Sequence, residues 1–307
     1  MEMLYQRDVY GQTLAELGRQ DANIVVLDAD LSGSTRTCLF AKEHKGRFFN
    51  FGVAEQNMMA TAAGLASCGK IVFVSTFAIF ATGRAWDQVR NTVAYNNLNV
   101  KIVATHAGVS VGPDGASHQA LEDITLMRIV PNVQLIVPAD GPQTRDAVLA
   151  AYKTPGPFYV RLGRPKVATI EGKGPFKLGE AEILLKGDGL AIIACGIMVK
   201  HALDAANCLK KEGIFCRVIN MHTIKPLDTQ AVIKAAKETK GIVVCEEHTV
   251  VGGLASAVDE VAAENCPTTV LRVGVKNRYG QSGEPDELMN EYELSVKDII
   301  ATCKKIL

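Results

Sequence analysis

The sequence predicts an α/β protein built as two doubly wound domains, and three observations carry that reading. Short β-branched runs alternate with helical ones, the signature of parallel βαβ units covered by helices on both faces. A chain of 307 residues is long enough for two cores, at roughly 100–200 residues per domain. Between the halves, Gly163 to Gly179 carries two prolines, four glycines and four lysines or arginines with little apolar periodicity. Such a composition suits a connector crossing a surface. The predicted division is 1–165, a linker at 166–180, and a smaller domain at 181–307.

In chain order, the first half offers strands at Asn23–Leu27, Ile71–Ser75, Val100–Thr105, Leu135–Val137 and Phe158–Leu162. Helical stretches near Val9–Arg19, Glu55–Ser67, Gly83–Ala94 and Thr144–Ala151 separate them, giving five parallel strands in one sheet. The second half resumes with strands at Leu190–Cys195, Phe215–Ile219, Ile242–Cys245 and Thr269–Val273. Its helices lie near Val199–Lys211, Asp228–Thr239, Gly253–Glu264 and Val296–Ile306, and the turn Lys225-Pro226-Leu227-Asp228 reads as a helix start with Asp228 as N-cap.

Composition removes several function classes. Lys+Arg and Asp+Glu both count 33, and without a basic stripe nucleic acid is not an expected partner. The longest charge-free runs, Gln56–Gly69 and Ile71–Gly83, hold 14 and 13 residues, short of the roughly 20 that a membrane-spanning helix needs. A basic region followed by an apolar stretch is absent from Met1-Glu2-Met3-Leu4-Tyr5, so the expectation is a soluble cytoplasmic chain. Eight cysteines form no Cys-x-x-Cys pair and read as reduced thiols rather than a metal or redox site.

In open parallel sheets ligands gather at the carboxyl ends of the strands, so the polar residues placed there are the candidates for chemistry. The first strand is followed by Asp28-Ala29-Asp30-Leu31-Ser32-Gly33-Ser34, the third by the glycine-rich segment His106 to Gln119, the fifth by Arg161-Leu162-Gly163-Arg164. Glu55, a single carboxylate among apolar residues, opens a predicted helix. It is readable either as a first-turn glutamate favoured by the helix dipole or as a buried carboxyl able to share a proton with a bound heterocycle. Phe77 and Phe80 follow the second strand and are either core or a stacking wall for a ring. His106 and His118 flank the loop with Asp114 between them, and no third ligand stands at zinc spacing.

Taken together, these residues resemble a known family. The strings Ala54-Glu55-Gln56-Asn57-Met58, Ser75-Thr76-Phe77-Ala78-x-Phe80, Arg84-Ala85-x-Asp87-Gln88-x-Arg90, the Gly108–Gln119 loop and Leu121-Glu122-Asp123 resemble the pyrimidine-binding domain of transketolases in order and spacing. The match runs on through Pro138-Ala139-Asp140 and Arg161–Arg164, and Lys225–Asp228 and Glu246–Gly253 resemble the family's C-terminal domain. Two departures accompany it. Ala54 stands where many transketolases carry arginine, as in another branch of the family, and the Phe80 to Arg84 segment is one residue longer than the pattern.

The resemblance implies transfer of a two-carbon ketol unit between sugar phosphates by means of thiamine diphosphate and Mg²⁺. It implies that Glu55 hydrogen-bonds N1′ of the aminopyrimidine, that Phe77 and Phe80 surround that ring, and that Asp30 lies close to the cofactor. Catalytic and sugar contacts fall to His106 and His118, with Asp114 on the sugar and Ser34 and Arg164 on its phosphate. A whole transketolase also has a preceding domain that holds the diphosphate and the metal through Gly-Asp-Gly and downstream asparagines. Gly187-Asp188-Gly189 lacks those asparagines and reads as a surface turn. The chain therefore resembles the C-terminal half of a split transketolase, with no metal ligands of its own, active only with an N-terminal subunit in an α2β2 assembly. Alternatives are the corresponding parts of deoxyxylulose-phosphate synthase or of a 2-oxoacid dehydrogenase beta subunit, and a non-catalytic regulatory subunit. The ending Thr105-His106-Ala107-Gly108, in place of the synthase's Asp-Arg-Ala-Gly, favours transketolase.

Overall fold

The computed structural model describes residues 2–171 and 174–307. Its strands are β1 (Met3–Tyr5), β2 (Ile24–Asp28), β3 (Phe48–Asn50), β4 (Ile71–Ser75), β5 (Val100–Ala104), β6 (Gln134–Ile136), β7 (Phe158–Arg161), β8 (Lys166–Ala168), β9 (Glu182–Leu185), β10 (Leu190–Ala194), β11 (Cys216–Asn220), β12 (Thr223–Lys225), β13 (Ile242–Thr249) and β14 (Val270–Val275). They form a seven-stranded sheet in the order β12-β6-β7-β5-β4-β2-β3, a five-stranded sheet β14-β13-β10-β11-β9 and a two-stranded ribbon β1-β8.

Every pairing in the large sheet is parallel except that of β12 with β6. Residues of β2, β4, β5 and β7 are almost wholly buried, as continuous β-branched runs must be when helices cover both faces. Two strands exceed the five expected. β3 is a three-residue edge strand with no β-branched residue to announce it. β12 comes from the second half of the chain and pairs Thr223 with Ile136, a tertiary contact with no local signal. β8 lies inside the predicted linker and pairs with β1, Leu4 opposite Val167; Val167 is buried there.

The helices follow the expected periodicity with one change of type. Residues Phe80–Arg84 and Gln88–Ala94, expected as ordinary helix from Gly83, form wider turns, as in the bond from Tyr95 N to Arg90 O at 3.0 Å. An i→i+5 turn absorbs one residue more than an α-turn, which accommodates the extra residue noted between Phe80 and Arg84. Asp228 caps the helix Thr229–Glu238 by accepting from Ala231 N at 2.9 Å, the role expected of it. Gly187 sits between β9 and β10, where a Cβ would approach Phe215 O within 2.5 Å; close backbone packing explains that glycine. Among the described residues no helix is long and apolar enough to cross a membrane.

One buried cluster runs through both halves, joining Leu27, Val74 and Ile102 to Ile193, Met221 and Leu254. The seam between the halves is also polar. Arg161 donates to Asp123 Oδ2 at 2.7 Å and to Glu247 O at 2.9 Å, and Tyr159 donates to the same Asp123 oxygen at 2.6 Å. Lys225 Nζ reaches the carbonyls of Arg128 and Val130 at 2.8 and 2.6 Å. All eight cysteines are free, four of them buried.

Candidate active site

Parallel β2, β3, β4, β5 and β7 all end on one edge of the large sheet, and that edge gathers most of the predicted site. Glu55 begins the helix Glu55–Ser67 and is 2% exposed. Its Oε1 accepts from Arg84 Nη1 at 2.9 Å. Its Oε2 is buried with no hydrogen-bond partner, a costly state for a carboxylate oxygen unless a ligand satisfies it.

Arg84 carries the chain of contacts onward, with its guanidinium 4.6 Å from the centre of the Phe80 ring. Phe80 is half-buried and stacks at 6.1 Å on Phe77, which is buried. Phe77 in turn lies 3.8 Å from the His106 ring, nearly parallel to it. Phe80 is thus the open face of the aromatic wall, and Phe77 is its backing.

His106 is 2% exposed and packed on Phe77. It holds φ +60, a left-handed conformation that costs energy in a residue with a Cβ. Bonds Ala78 N to Thr105 O at 2.8 Å and Thr105 N to Thr76 O at 3.2 Å fix the preceding residue against the end of β4. Burial, followed by the charges of Arg7 and Arg164, lowers the His106 pKa to about 3. A folded value below the ordinary 6.5 means that acidification through that window favours the unfolded chain. In an NMR titration His106 is expected to remain neutral between about pH 5 and 8; a midpoint near 6.5 would show that its ring is solvated.

His118 is half-buried and meets Phe80 edge to face at 5.3 Å. Arg164 donates to Val111 O at 2.7 Å, and its charge acts on His106. Arg7 was missed by the strand-end search because it lies in the first turn of the helix Gln6–Gln20. Its side chain donates to Ser34 O at 3.5 Å, its charge acts on His106, and its Nε is buried without a partner. Burial, then Arg36, lowers the Arg7 pKa. The only cue in the sequence was a basic residue in a helix's first turn, where the dipole disfavours it.

Two predicted residues stand apart. Asp30 is exposed at φ +65 and exchanges bonds with Asn50, both at 3.0 Å. Asp114 is exposed at the end of the loop turn Val109–Asp114. Among the described residues no group of three or more His, Cys, Asp or Glu is placed to hold a metal ion.

The arrangement offers a buried carboxylate oxygen awaiting a donor, an aromatic face beside it, and two arginines beside a neutral imidazole. Comparisons with known proteins show the family. A model of the transketolase pyrimidine binding domain matches residues 2–169, and one of the transketolase C-terminal domain matches 179–299. A Methanocaldococcus jannaschii protein named as a transketolase C-terminal section is 50% identical over 297 residues, 95% of this chain and 93% of that one. Human transketolase is 40% identical over 300 residues, 96% of this chain and 48% of the human protein. The solved structure titled "Split gene transketolase, inactive beta4 tetramer" superposes with a TM-score of 0.90 at 47% identity, covering 100% of this chain and 99% of that chain. The chain belongs to the transketolase family, and its two domains are that family's pyrimidine-binding and C-terminal domains.

Proposed function

We propose that this chain is the C-terminal subunit of a split transketolase, moving a two-carbon ketol unit between sugar phosphates only when joined by an N-terminal subunit. The unpartnered Oε2 of buried Glu55 is the observation that carries the reading. A pyrimidine nitrogen placed there gives that oxygen its missing partner, and the carboxyl holds a proton away from water, where proton sharing is strongest. Phe80, backed by Phe77, is the stacking surface for the same ring.

Thiamine diphosphate, when bound, would supply a weakly acidic thiazolium carbon that is nucleophilic toward carbonyls once its proton is lost. The remaining work falls to this chain's own residues. Arg7 and Arg164 hold the phosphate end of the sugar through the forked donors that suit phosphate oxygens, with Ser34 beside Arg7. His106 and His118 face the sugar, and neutral His106 both accepts and donates a hydrogen bond without charge. Asp114 contacts the sugar hydroxyls, and Asp30 stands near the cofactor. The arginine pair favours sugar phosphates over the 2-oxoacids of a dehydrogenase beta subunit.

We assign the diphosphate and Mg²⁺ to the partner, since Mg²⁺ takes oxygen ligands beside phosphates and Gly187-Asp188-Gly189 lies on the turn between β9 and β10. The structure titled an inactive beta4 tetramer concerns a relative, and it supports the view that such a subunit alone does no chemistry. An α2β2 complex in the cytoplasm is the assembly we expect. The test mixes the purified chain with its N-terminal partner, thiamine diphosphate, Mg²⁺ and a ketose phosphate with an aldose phosphate. Ketol transfer is expected in the mixture and at background with either subunit alone; transfer by this chain alone would overturn the reading.

A further inference from the structure

The loop from Gly108 to Gln119 is held from two sides: by bonds within its own domain, such as Gly108 N to Ala120 O at 2.9 Å and His118 N to Gly115 O at 3.0 Å, and by the second domain. Gly108, Gly112 and Gly115 have φ of +86, +82 and +75, so the backbone runs through conformations that other residues resist. The second domain adds contacts at the turns where those glycines lie. Glu247 on β13 is 3% exposed, and its Oε1 accepts from Ser110 N at 2.6 Å. The fit is close: a Cβ on Gly108 would lie 2.2 Å from the Glu247 carboxyl carbon.

Further contacts come from the segment before the helix Pro285–Glu291. Gln119, at the far end of the loop, is 2% exposed, and its Nε2 donates to Val109 O at 3.0 Å and to Gln281 O at 2.9 Å. A Cβ on Gly115 would meet Ser282 Oγ at 2.7 Å, and one on Gly112 would meet Gly283 O at 3.3 Å. The loop is thus pressed between its own sheet and the second domain. It starts two residues after His106 and carries Asp114 and His118.

We propose that Glu247 is a positioning residue for the sugar site, through which the C-terminal domain sets the conformation of the loop that presents Asp114 and His118. This deepens the function proposed above and rests on the assignment of those residues to the sugar. Glu247 touches no substrate in this scheme. Its carboxylate satisfies the Ser110 amide, and that bond seats the first turn of the loop. Without it a buried N–H is left unsatisfied, and the loop samples other arrangements.

Three substitutions separate reach from charge. Glu247→Gln keeps an oxygen at the same reach, Glu247→Asp keeps the charge but retracts the oxygen by one methylene, and Glu247→Ala removes both. In the chain alone, hydrogen exchange of the 108–119 amides is expected to quicken about tenfold or more in the Ala and Asp variants and to stay near wild type in Gln. In the assembled two-subunit enzyme KM for the sugar phosphate is expected to rise about tenfold in Ala and Asp, with cofactor affinity and assembly within about twofold and with Gln close to wild type. Wild-type exchange and KM in all three variants would overturn the proposal. Rescue by Asp but not Gln would overturn it in favour of a charge role beside Arg161. If Ala does not fold, the Gln and Asp pair decides alone. The exchange measurement needs no turnover, so the proposal can fail while the functional reading stands. An effect on exchange with no ketol transfer in the wild-type mixture would sink only the functional reading.

Discussion

Replacing Glu55 with alanine is expected to lower ketol transfer by about 10²–10⁴ in the reconstituted complex, the range for loss of a positioned proton-sharing group. Assembly is expected to persist, because removing Glu55 leaves no charge stranded in the interior: its partner Arg84 is half-exposed and can turn to water. Glu55→Gln makes the sharper comparison, since it keeps the shape and removes the acid. A fall of the same order with Gln would identify the proton as what matters. Native mass measurement alongside steady-state kinetics separates lost chemistry from lost assembly, and unchanged turnover in both variants would remove Glu55 from the mechanism.

The second large effect concerns stability. Asp123→Ala leaves the Arg161 guanidinium, 5% exposed, without its carboxylate and Tyr159 without its acceptor. Breaking a buried ion pair from one side costs about 3–5 kcal/mol, expected to appear as a fall of roughly 5–15 °C in the thermal midpoint. The double variant Asp123→Leu, Arg161→Met removes both charges and is expected to recover most of that loss. A single variant that melts with the wild type would show that water reaches the guanidinium. Burial alone would raise the Asp123 pKa, but Arg161 and then His248 outweigh it and hold the carboxyl below its ordinary 3.8. The pair's contribution is therefore complete above that value and lost as pH falls through the folded pKa.

How much of this was legible in the sequence differs from element to element. The buried strands β2, β4, β5 and β7 were readable because a strand covered on both faces is a nearly continuous run of apolar residues, β-branched in the first three and aromatic in β7. Phe77, His106 and Arg164 were readable as candidates because parallel strands deliver their next residues to one edge, Glu55 was readable as a lone carboxylate opening a helix, and the structure gathers all four there. The burial of His106 was not, since it depends on Phe77 arriving from a different strand. Arg7 was not, since it lies at the start of a helix rather than after a strand. Glu247 was hidden in β13, whose Ile242–His248 stretch is uniformly buried, so its chemistry shows only once the loop is seen against it. The wide turn at Phe80–Arg84 accommodates one inserted residue, which no periodicity count distinguishes from ordinary helix.

The pairing of β12 with β6 has a consequence for the chain's modularity. Thr223–Lys225 leaves its own half to finish the sheet of the other, so the two halves are interlocked rather than strung together. A protein ending near residue 180 would leave Gln134–Ile136 as a bare margin whose amides and carbonyls invite any stray extended chain. The second half is thus a built-in guard against self-association of the first, which is why cutting between the two is a poor route to a smaller catalyst.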